Sequence, residues 1–284
     1  MQTDILSHIR QIYPGLSKGQ KKIADFILSS YEKAAFMTAK KLSQAVGTSE
    51  STVVRFACIL GFSNYGSLQS ALKATARALL TAPKRMEITS SRADTQDAII
   101  DVMTGDLENI RDTIGSIDKS QFDAAVDALH TSRKIFLLGV RSCGALASFA
   151  HFYLRILFDH VQLLQLSSTT EVLEQMLRIG PDDILLAISF PRYSSATVSA
   201  VQFAKSRGAK VLAITDTPLS PIATEADFVL TAPCDTVSIV DSLVAPLSLI
   251  NALIVASAMK NKQNVYKTLE DLEQLWDQYQ IYEK

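Results

Sequence analysis

Cysteine, histidine and unbroken apolar runs are all scarce in this 284-residue chain, and each scarcity excludes something. The three cysteines, Cys58, Cys143 and Cys234, are odd in number and lack metal-ligand spacing. No disulfide framework or metal centre is expected, only free thiols in a reducing cytoplasm. The four histidines are His8, His130, His151 and His160, with none further on. His151 reads as packing or interface, and the others fall at surface-like or segment-end positions. The first residues, Met1-Gln2-Thr3-Asp4, offer neither a basic n-region nor an apolar h-region, so no secretory signal is expected. The longest apolar stretch, Leu243–Met259, is broken by Pro246, Ser248, Asn251 and Ser257. It reads as a buried or interface helix and not as a membrane span. No internal repeat or low-complexity tract is visible, and no sequence feature calls for a cofactor.

What is present suits ordinary cores: 48% hydrophobic and 20% charged residues, over a length that allows about two domains. The formal net charge of −1 conceals a division. Residues 1–80 hold ten Lys/Arg against four Asp/Glu, a surplus of six, and the other 18 basic and 25 acidic side chains leave −7 on the remainder. A basic head on an acidic body is the pattern expected when only one end meets nucleic acid.

Inside the basic head, Met37–Phe62 scans as two short helices around a sharp turn, the helix-turn-helix geometry that enters the major groove of DNA. The expected helices are Thr38–Val46 and Glu50–Leu60. Gly47 supplies left-handed backbone for the turn, and Ser49 caps the second helix. Val53, Phe56, Ala57 and Leu60 recur at i, i+3, i+4 and i+7 and form its inward face. Ser51 and Arg55 lie opposite, flanked by Thr52, where hydroxyls and a guanidinium suit phosphate and base-edge contacts. The candidate DNA contacts are therefore Ser49, Ser51, Thr52 and Arg55. Against that reading, Ser49 serves only as a cap and Arg55 is a solvated helix residue. Lys40, Lys41 and Tyr65 join the candidates, with solubility the competing explanation.

Around this motif, Lys18–Ser30 carries Ile23, Phe26 and Ile27 at helical spacing behind the cap Ser17, and a helix over Ser67–Leu80 closes an all-α domain over 1–80. A polar stretch over 81–94, with Pro83 and Ser90-Ser91, reads as a linker. Two amphipathic helices follow, about Thr95–Ile114 and Lys119–His130. Then Ile135–Val140, Val161–Leu166, Asp183–Ser189, Lys210–Thr215 and Asp227–Ala232 form short runs with little polar alternation. Such runs suit strands buried on both faces of a parallel sheet. Helical segments between them, clearest at Ser142–Leu157 and Ser195–Arg207, give a doubly wound α/β domain over 95–284.

In both halves the chain resembles the RpiR/MurR-type bacterial transcription regulators, which join a helix-turn-helix to a SIS (sugar isomerase) domain. The resemblance rests on Tyr13-Pro14, Gln20–Ala24, Phe36-Met37-Thr38, Leu42, Ser49–Phe56, Leu60-Gly61-Phe62, Tyr65 and Leu68. In the second half it rests on Ala204-Lys205, Gly208-Ala209, Ala213-Ile214-Thr215, Ser220-Pro221 and Ala226-Asp227. It implies a flavodoxin-like strand order of 2-1-3-4-5, a homodimer or homotetramer, a double-stranded DNA operator and an anionic effector of the sugar-phosphate class. It also implies effector loops after strands one and three, at the switch point of the sheet. The family often has a basic residue near Cys58-Ile59, absent here.

Those two loops depart from the family. The usual Gly-x-Gly-x-Ser is Gly139-Val140-Arg141-Ser142-Cys143, and the usual Ser-x-Ser-Gly-x-Thr is Ser189-Phe190-Pro191-Arg192-Tyr193-Ser194. Pro191 has no amide hydrogen, so part of the usual phosphate cradle at the helix N-terminus is missing. Two glycines have become Arg141 and Arg192. Either these converge on an anionic ligand through guanidinium forks, or they pair with acids such as Asp216 or Glu171 and stiffen the loops. The candidate ligand residues are Arg141, Ser142, Cys143, Ser189, Arg192, Tyr193 and Ser194. An isomerase needs a general base, commonly His or Glu; Glu171 and Glu225 are conceivable, but nothing distinguishes them from surface carboxylates. A regulator is expected, not an enzyme. The remaining alternative is a DNA-binding protein whose SIS half only oligomerises.

Overall fold

The computed structural model describes residues 5–79, 83, 86, 98–165, 168–234 and 240–283. These fall into two compact units, one within residues 1–92 and one from residue 93 on. The segment expected as a linker, 81–94, lies outside the described residues except for Pro83 and Met86.

The first unit is helical throughout: α1 (Ile5–Ile12), a short 3-10 turn at Tyr13–Gly15, α2 (Lys18–Ala34), α3 (Ala39–Val46), α4 (Glu50–Ile59) and α5 (Tyr65–Leu79). Helix α2 begins where Gln20 Oε1 accepts a hydrogen bond from the Ser17 N–H at 2.9 Å, half of a capping box. It continues past the expected end, through a kink at Ser30 (φ −149°, ψ 46°), to Ala34. Ile9, Ile23, Ile27, Leu42, Phe56, Leu68 and Leu72 are fully enclosed and form one core. Burial of a side chain such as Phe56 contributes about 3 kcal/mol.

The second unit opens with α6 (Ala98–Ser116) and α7 (Lys119–Thr131), then alternates strand and helix. In chain order these are β1 (Lys134–Gly139), α8 (Ser142–Leu157), β2 (Val161–Leu163), α9 (Thr169–Gln175), β3 (Asp183–Ile188), α10 (Ser195–Ser206), β4 (Lys210–Thr215), β5 (Phe228–Thr231), α11 (Val244–Lys260) and α12 (Lys262–Gln278). The five strands form one parallel sheet in the order β2-β1-β3-β4-β5, the doubly wound arrangement expected.

Side-chain alternation divides the core. Ile135, Leu137, Ile184, Leu186, Leu212 and Ile214 point to the face covered by α7, α8 and α11, while Phe136, Leu138, Leu185, Ala187, Val211 and Ala213 point to the face covered by α9 and α10. Period-two alternation with both faces covered explains why these strands read as continuous apolar runs. Strand β3 is buried at every position and begins with the enclosed carboxylate of Asp183. That carboxylate accepts from Arg133 Nε at 2.9 Å, Arg133 Nη2 at 2.7 Å and the Gly180 N–H at 2.9 Å, which satisfies a charge otherwise costly to bury.

Helix α11 takes up the longest apolar stretch and buries Ala245, Pro246, Leu249, Ile250, Leu253 and Ser257. Among the described residues no single helix is long and apolar enough to cross a membrane.

Candidate functional site

In the first unit α3, the turn and α4 form the expected helix-turn-helix. Thr38 caps α3 by accepting from the Lys41 N–H at 3.2 Å. Gly47 ends it in left-handed conformation (φ 64°, ψ 51°), and the Thr48 N–H closes back on the Ser43 carbonyl at 2.9 Å. Only glycine takes that backbone without steric cost. Ser49 then caps α4 through the Thr52 N–H at 3.3 Å.

The front of α4 is a connected hydroxyl cluster. Ser49 Oγ lies 2.9 Å from Ser51 Oγ and 2.8 Å from Thr52 Oγ1. Arg55, one turn on, donates from Nε to the Ser51 carbonyl at 3.2 Å and from Nη2 to Ser51 Oγ at 3.5 Å. Ser49, Ser51 and Arg55 are exposed, and Val53, Phe56 and Ala57 are enclosed. Lys40 and Lys41 stand exposed in the first turn of α3, where the helix dipole opposes positive charge. Their placement suits an external anion better than it suits the helix.

Two features of this surface went unread in the sequence. Val54 is 39% exposed, on the outward face of α4; its absence from the inward i, i+3, i+4 series was the available signal. The start of α2 also approaches the turn: a Cβ on Gly19 would lie 3.5 Å from Thr52 Cγ2, and one on Gly47 would lie 3.9 Å from Lys22 Nζ. Lys22 thereby extends the basic surface beside the recognition helix.

Tyr65, expected as a phosphate contact, belongs to the core instead. It is 8% exposed, and its hydroxyl donates to the Met37 carbonyl at 2.7 Å, tying α5 to the entry of α3. Burial pushes its pKa up to about 12. An unfolded tyrosine releases its proton near pH 10 and the folded one near pH 12, so the unfolded state binds fewer protons across that interval and stability falls there. Tyr65→Phe should cost about 1 kcal/mol at neutral pH and lessen the fall between pH 10 and 12. Urea unfolding of both proteins at several pH values checks this; parallel pH profiles would count against it.

In the second unit, β1 and β3 are paired neighbours, with Gly139 opposite Ile188, so their carboxyl-end loops leave the sheet side by side. The loop after β1 needs Gly139 itself: a Cβ there would lie 2.2 Å from the Cys143 carbonyl oxygen. Arg141 then adopts φ 58°, ψ −126°, a glycine-favoured conformation that costs another residue on the order of 1–3 kcal/mol. The position thus combines glycine-favoured backbone with a guanidinium.

The seven expected ligand residues divide by burial. Arg141, Ser142 and Arg192 are exposed, Tyr193 and Ser194 half-buried, Ser189 and Cys143 buried. Burial pushes the Cys143 thiol above its usual pKa, partly offset by the Phe190 backbone; Cys143 and Phe190 lie in the same buried cluster beneath the two loops. Ser189 is held by its N–H on the Ile214 carbonyl at 3.1 Å. Tyr193 donates to Asp216 Oδ1 at 2.8 Å, which also accepts from Thr215 Oγ1 at 3.2 Å. Neither Arg141 nor Arg192 makes a side-chain hydrogen bond or ion pair among the described residues; the pairing with Asp216 or Glu171 is not formed. Among the described residues no group of His, Cys, Asp and Glu could hold a metal ion.

A helix-turn-helix with a solvated hydroxyl–arginine edge, in one chain with a 2-1-3-4-5 parallel sheet, defines a DNA-binding regulator built on a SIS-type domain. Known proteins agree: a model of the rpiR-family helix-turn-helix domain matches residues 3–78, and a model of the SIS domain matches residues 128–256. The chain belongs to the RpiR family of transcriptional regulators, and it is a regulator rather than an enzyme. An HTH-type transcriptional regulator of Haemophilus influenzae is 28% identical over 233 residues, 80% of this chain and 79% of that protein. The sugar isomerase domain of an RpiR transcription factor from Sphaerobacter thermophilus superposes with a TM-score of 0.60 at 26% identity, covering 63% of this chain and 99% of that one. The Vibrio vulnificus NanR protein, solved in complex with ManNAc-6P, shares the fold over 95% of this chain and 98% of its own, with a TM-score of 0.58 at 22% identity.

Proposed function

We propose that this regulator is a cytoplasmic homodimer or homotetramer that binds a double-stranded operator through α3 and α4 and releases or tightens it when an anionic metabolite occupies its SIS domain. On the DNA side, Lys40, Lys41, Ser49, Ser51, Thr52 and Arg55 form the contact set, with phosphates taken by the lysines and hydroxyls and a base edge or phosphate by Arg55. On the effector side, the loops after β1 and β3 hold a phosphorylated sugar or sugar acid between Arg141 and Arg192, with Ser142, Tyr193 and Ser194 around it. Ser189 and Cys143 support those loops from below.

The observation that carries the effector reading is the pair of exposed arginines, without side-chain partners among the described residues, on adjacent loops at the switch point. One of them is held in glycine-like backbone, and strain retained at one position is the mark of a functional demand. That NanR is found with ManNAc-6P supports the phosphosugar class. An effector that binds one arrangement of the operator-reading domains better than another shifts the population between them. The loss of an amide donor at Pro191 favours the second reading, a SIS domain that only assembles the protein.

A thermal-shift panel of sugar phosphates and sugar-acid phosphates on the full chain separates the two. At a hundredfold excess over Kd an effector adds about 2.7 kcal/mol, a shift of about 5 °C or more. Arg141→Gly relieves the backbone strain, so it should leave the protein at least as stable while weakening the effector tenfold or more; Arg192→Ala should weaken it similarly. An undiminished effector response in both variants would end the arginine site, and no response to any anion in the wild type would favour the assembly-only reading.

A further inference from the structure

Helix α6 is packed with the wrong side inward. Asn109 and Thr113, at 2% and 6% exposure, face the interior, with Thr113 Oγ1 donating to the Asn109 carbonyl at 2.8 Å. On the same side Asp106 accepts from Ser242 Oγ at 2.5 Å. The apolar residues Ile99, Ile100, Met103, Leu107 and Ile114 are 68%, 65%, 65%, 50% and 70% exposed. At 3.6 residues per turn these five form one stripe roughly 100° wide. The charged residues Asp101, Glu108, Arg111 and Asp112 occupy a third, separate face, also exposed. An amphipathic helix turns its apolar stripe toward a core, yet among the described residues of α6 it is Ile110, at the edge of the stripe, that packs against the sheet-covering cluster.

We infer that this stripe is an interface with a second copy of the chain, in which α6 packs antiparallel on α6 about a twofold axis through Leu107. The spacing is self-complementary: Ile100 and Ile114 lie seven residues to either side of Leu107, about 10 Å along the axis. The twofold sets Ile100 against Ile114 of the second copy and Leu107 against its equivalent, the isologous form in which one patch meets itself. From their fractional exposures these residues present roughly 600 Å² per protomer, approaching the ~800 Å² per partner of a standard interface and at the top of the ~300–600 Å² that the largest patch on a monomer reaches. The polar inward face then has a reason. With Asn109 and Thr113 turned to its own unit, α6 keeps its apolar stripe for the partner, and Ile110 joins that stripe to the core. The inference rests on the chain being a homo-oligomer and specifies the surface that makes it one.

The test uses the full chain. Light scattering after gel filtration gives the wild-type mass, and Leu107→Asp, at an exposed position, should keep its circular dichroism while the dimer dissociation constant rises at least a hundredfold. In a Cys58→Ser background, which removes the only exposed cysteine among the described residues, Leu107→Cys should form an intermolecular disulfide with oxidised glutathione and run at doubled mass on a non-reducing gel. Asp112→Cys in the same background should stay monomeric on that gel. A monomeric wild type overturns the oligomer reading and this surface together. An oligomeric wild type that ignores Leu107→Asp, with Leu107→Cys uncrosslinked, overturns the surface alone.

Discussion

Replacing Gly139 by alanine is expected to destabilise the α/β unit by about 3 kcal/mol, the upper part of the range for forcing one extra carbon into a packed interior. The added Cβ would lie 2.2 Å from the carbonyl oxygen of Cys143, 2.7 Å from its carbonyl carbon and 3.0 Å from Ala147 Cβ. The first two are backbone atoms in the opening turn of α8, so no rotamer change relieves them. Either β1 or α8 must move, and both are held. Strand β1 is bonded to β2 and β3, and α8 buries Cys143, Leu146, Ala147, Ala150 and Leu154. For a unit of nearly two hundred residues the loss corresponds to about 10 °C in Tm. Urea unfolding followed by near-ultraviolet circular dichroism measures it; an unchanged midpoint would show that α8 does not approach the strand this closely. Because the Arg141 loop starts at this contact, any variant that does fold should also bind the effector more weakly.

The same contact shows how much of the fold was legible. Strands covered on both faces announce themselves as apolar runs, and β1, β3 and β4 lie within a residue of where periodicity put them. The edge strand β2, expected over Val161–Leu166, ends already at Leu163, because it pairs on one side only; Leu166 lies outside the described residues. Helix α12 was not read: none of its residues is buried, so no inward stripe marked it. Tyr65 misled because a hydroxyl suggests a surface, whereas here it satisfies the Met37 carbonyl inside the core. The α6 stripe misleads in the opposite sense, since amphipathicity alone turns it inward.

In the loops after β1 and β3, the two arginines standing where the resemblance has glycine were visible as residue types, but their consequences were not. Whether a guanidinium is paired depends on which acids the fold brings near. Here Asp216 is occupied by Tyr193 and Thr215, and that depends on the order of β3 and β4. The backbone strain at Arg141 was likewise hidden, because a sequence states which residue has replaced a glycine but not whether the φ angle has followed. At the DNA surface more was legible, since a cap, a left-handed glycine and an inward apolar series over so few residues leave one way to fold.

Arg55→Ala should lower specific operator affinity on the order of 10- to 100-fold per recognition helix, the 1–3 kcal/mol of one bidentate base contact, with little change in the stability of the helical unit. Arg55 is exposed and its bonds run only to Ser51, one turn back on its own helix. Those bonds hold the guanidinium folded along α4, and on the proposed reading they are exchanged for a base edge when DNA binds. Arg55→Lys separates the two roles left open for this side chain. A lysine keeps the charge but not the fork, so a phosphate clamp would survive the change while a guanine contact would weaken almost as far as in alanine. Lys40→Ala, by contrast, should weaken cognate and scrambled duplexes alike and reduce the salt slope by about one. Fluorescence anisotropy on the gene's own upstream DNA and on a scrambled duplex, at one fixed salt concentration and then across a series, reads all three variants. Equal losses on both duplexes for Arg55→Ala would make it a phosphate contact and move base reading to its exposed neighbours on α4, Ser51 and Val54.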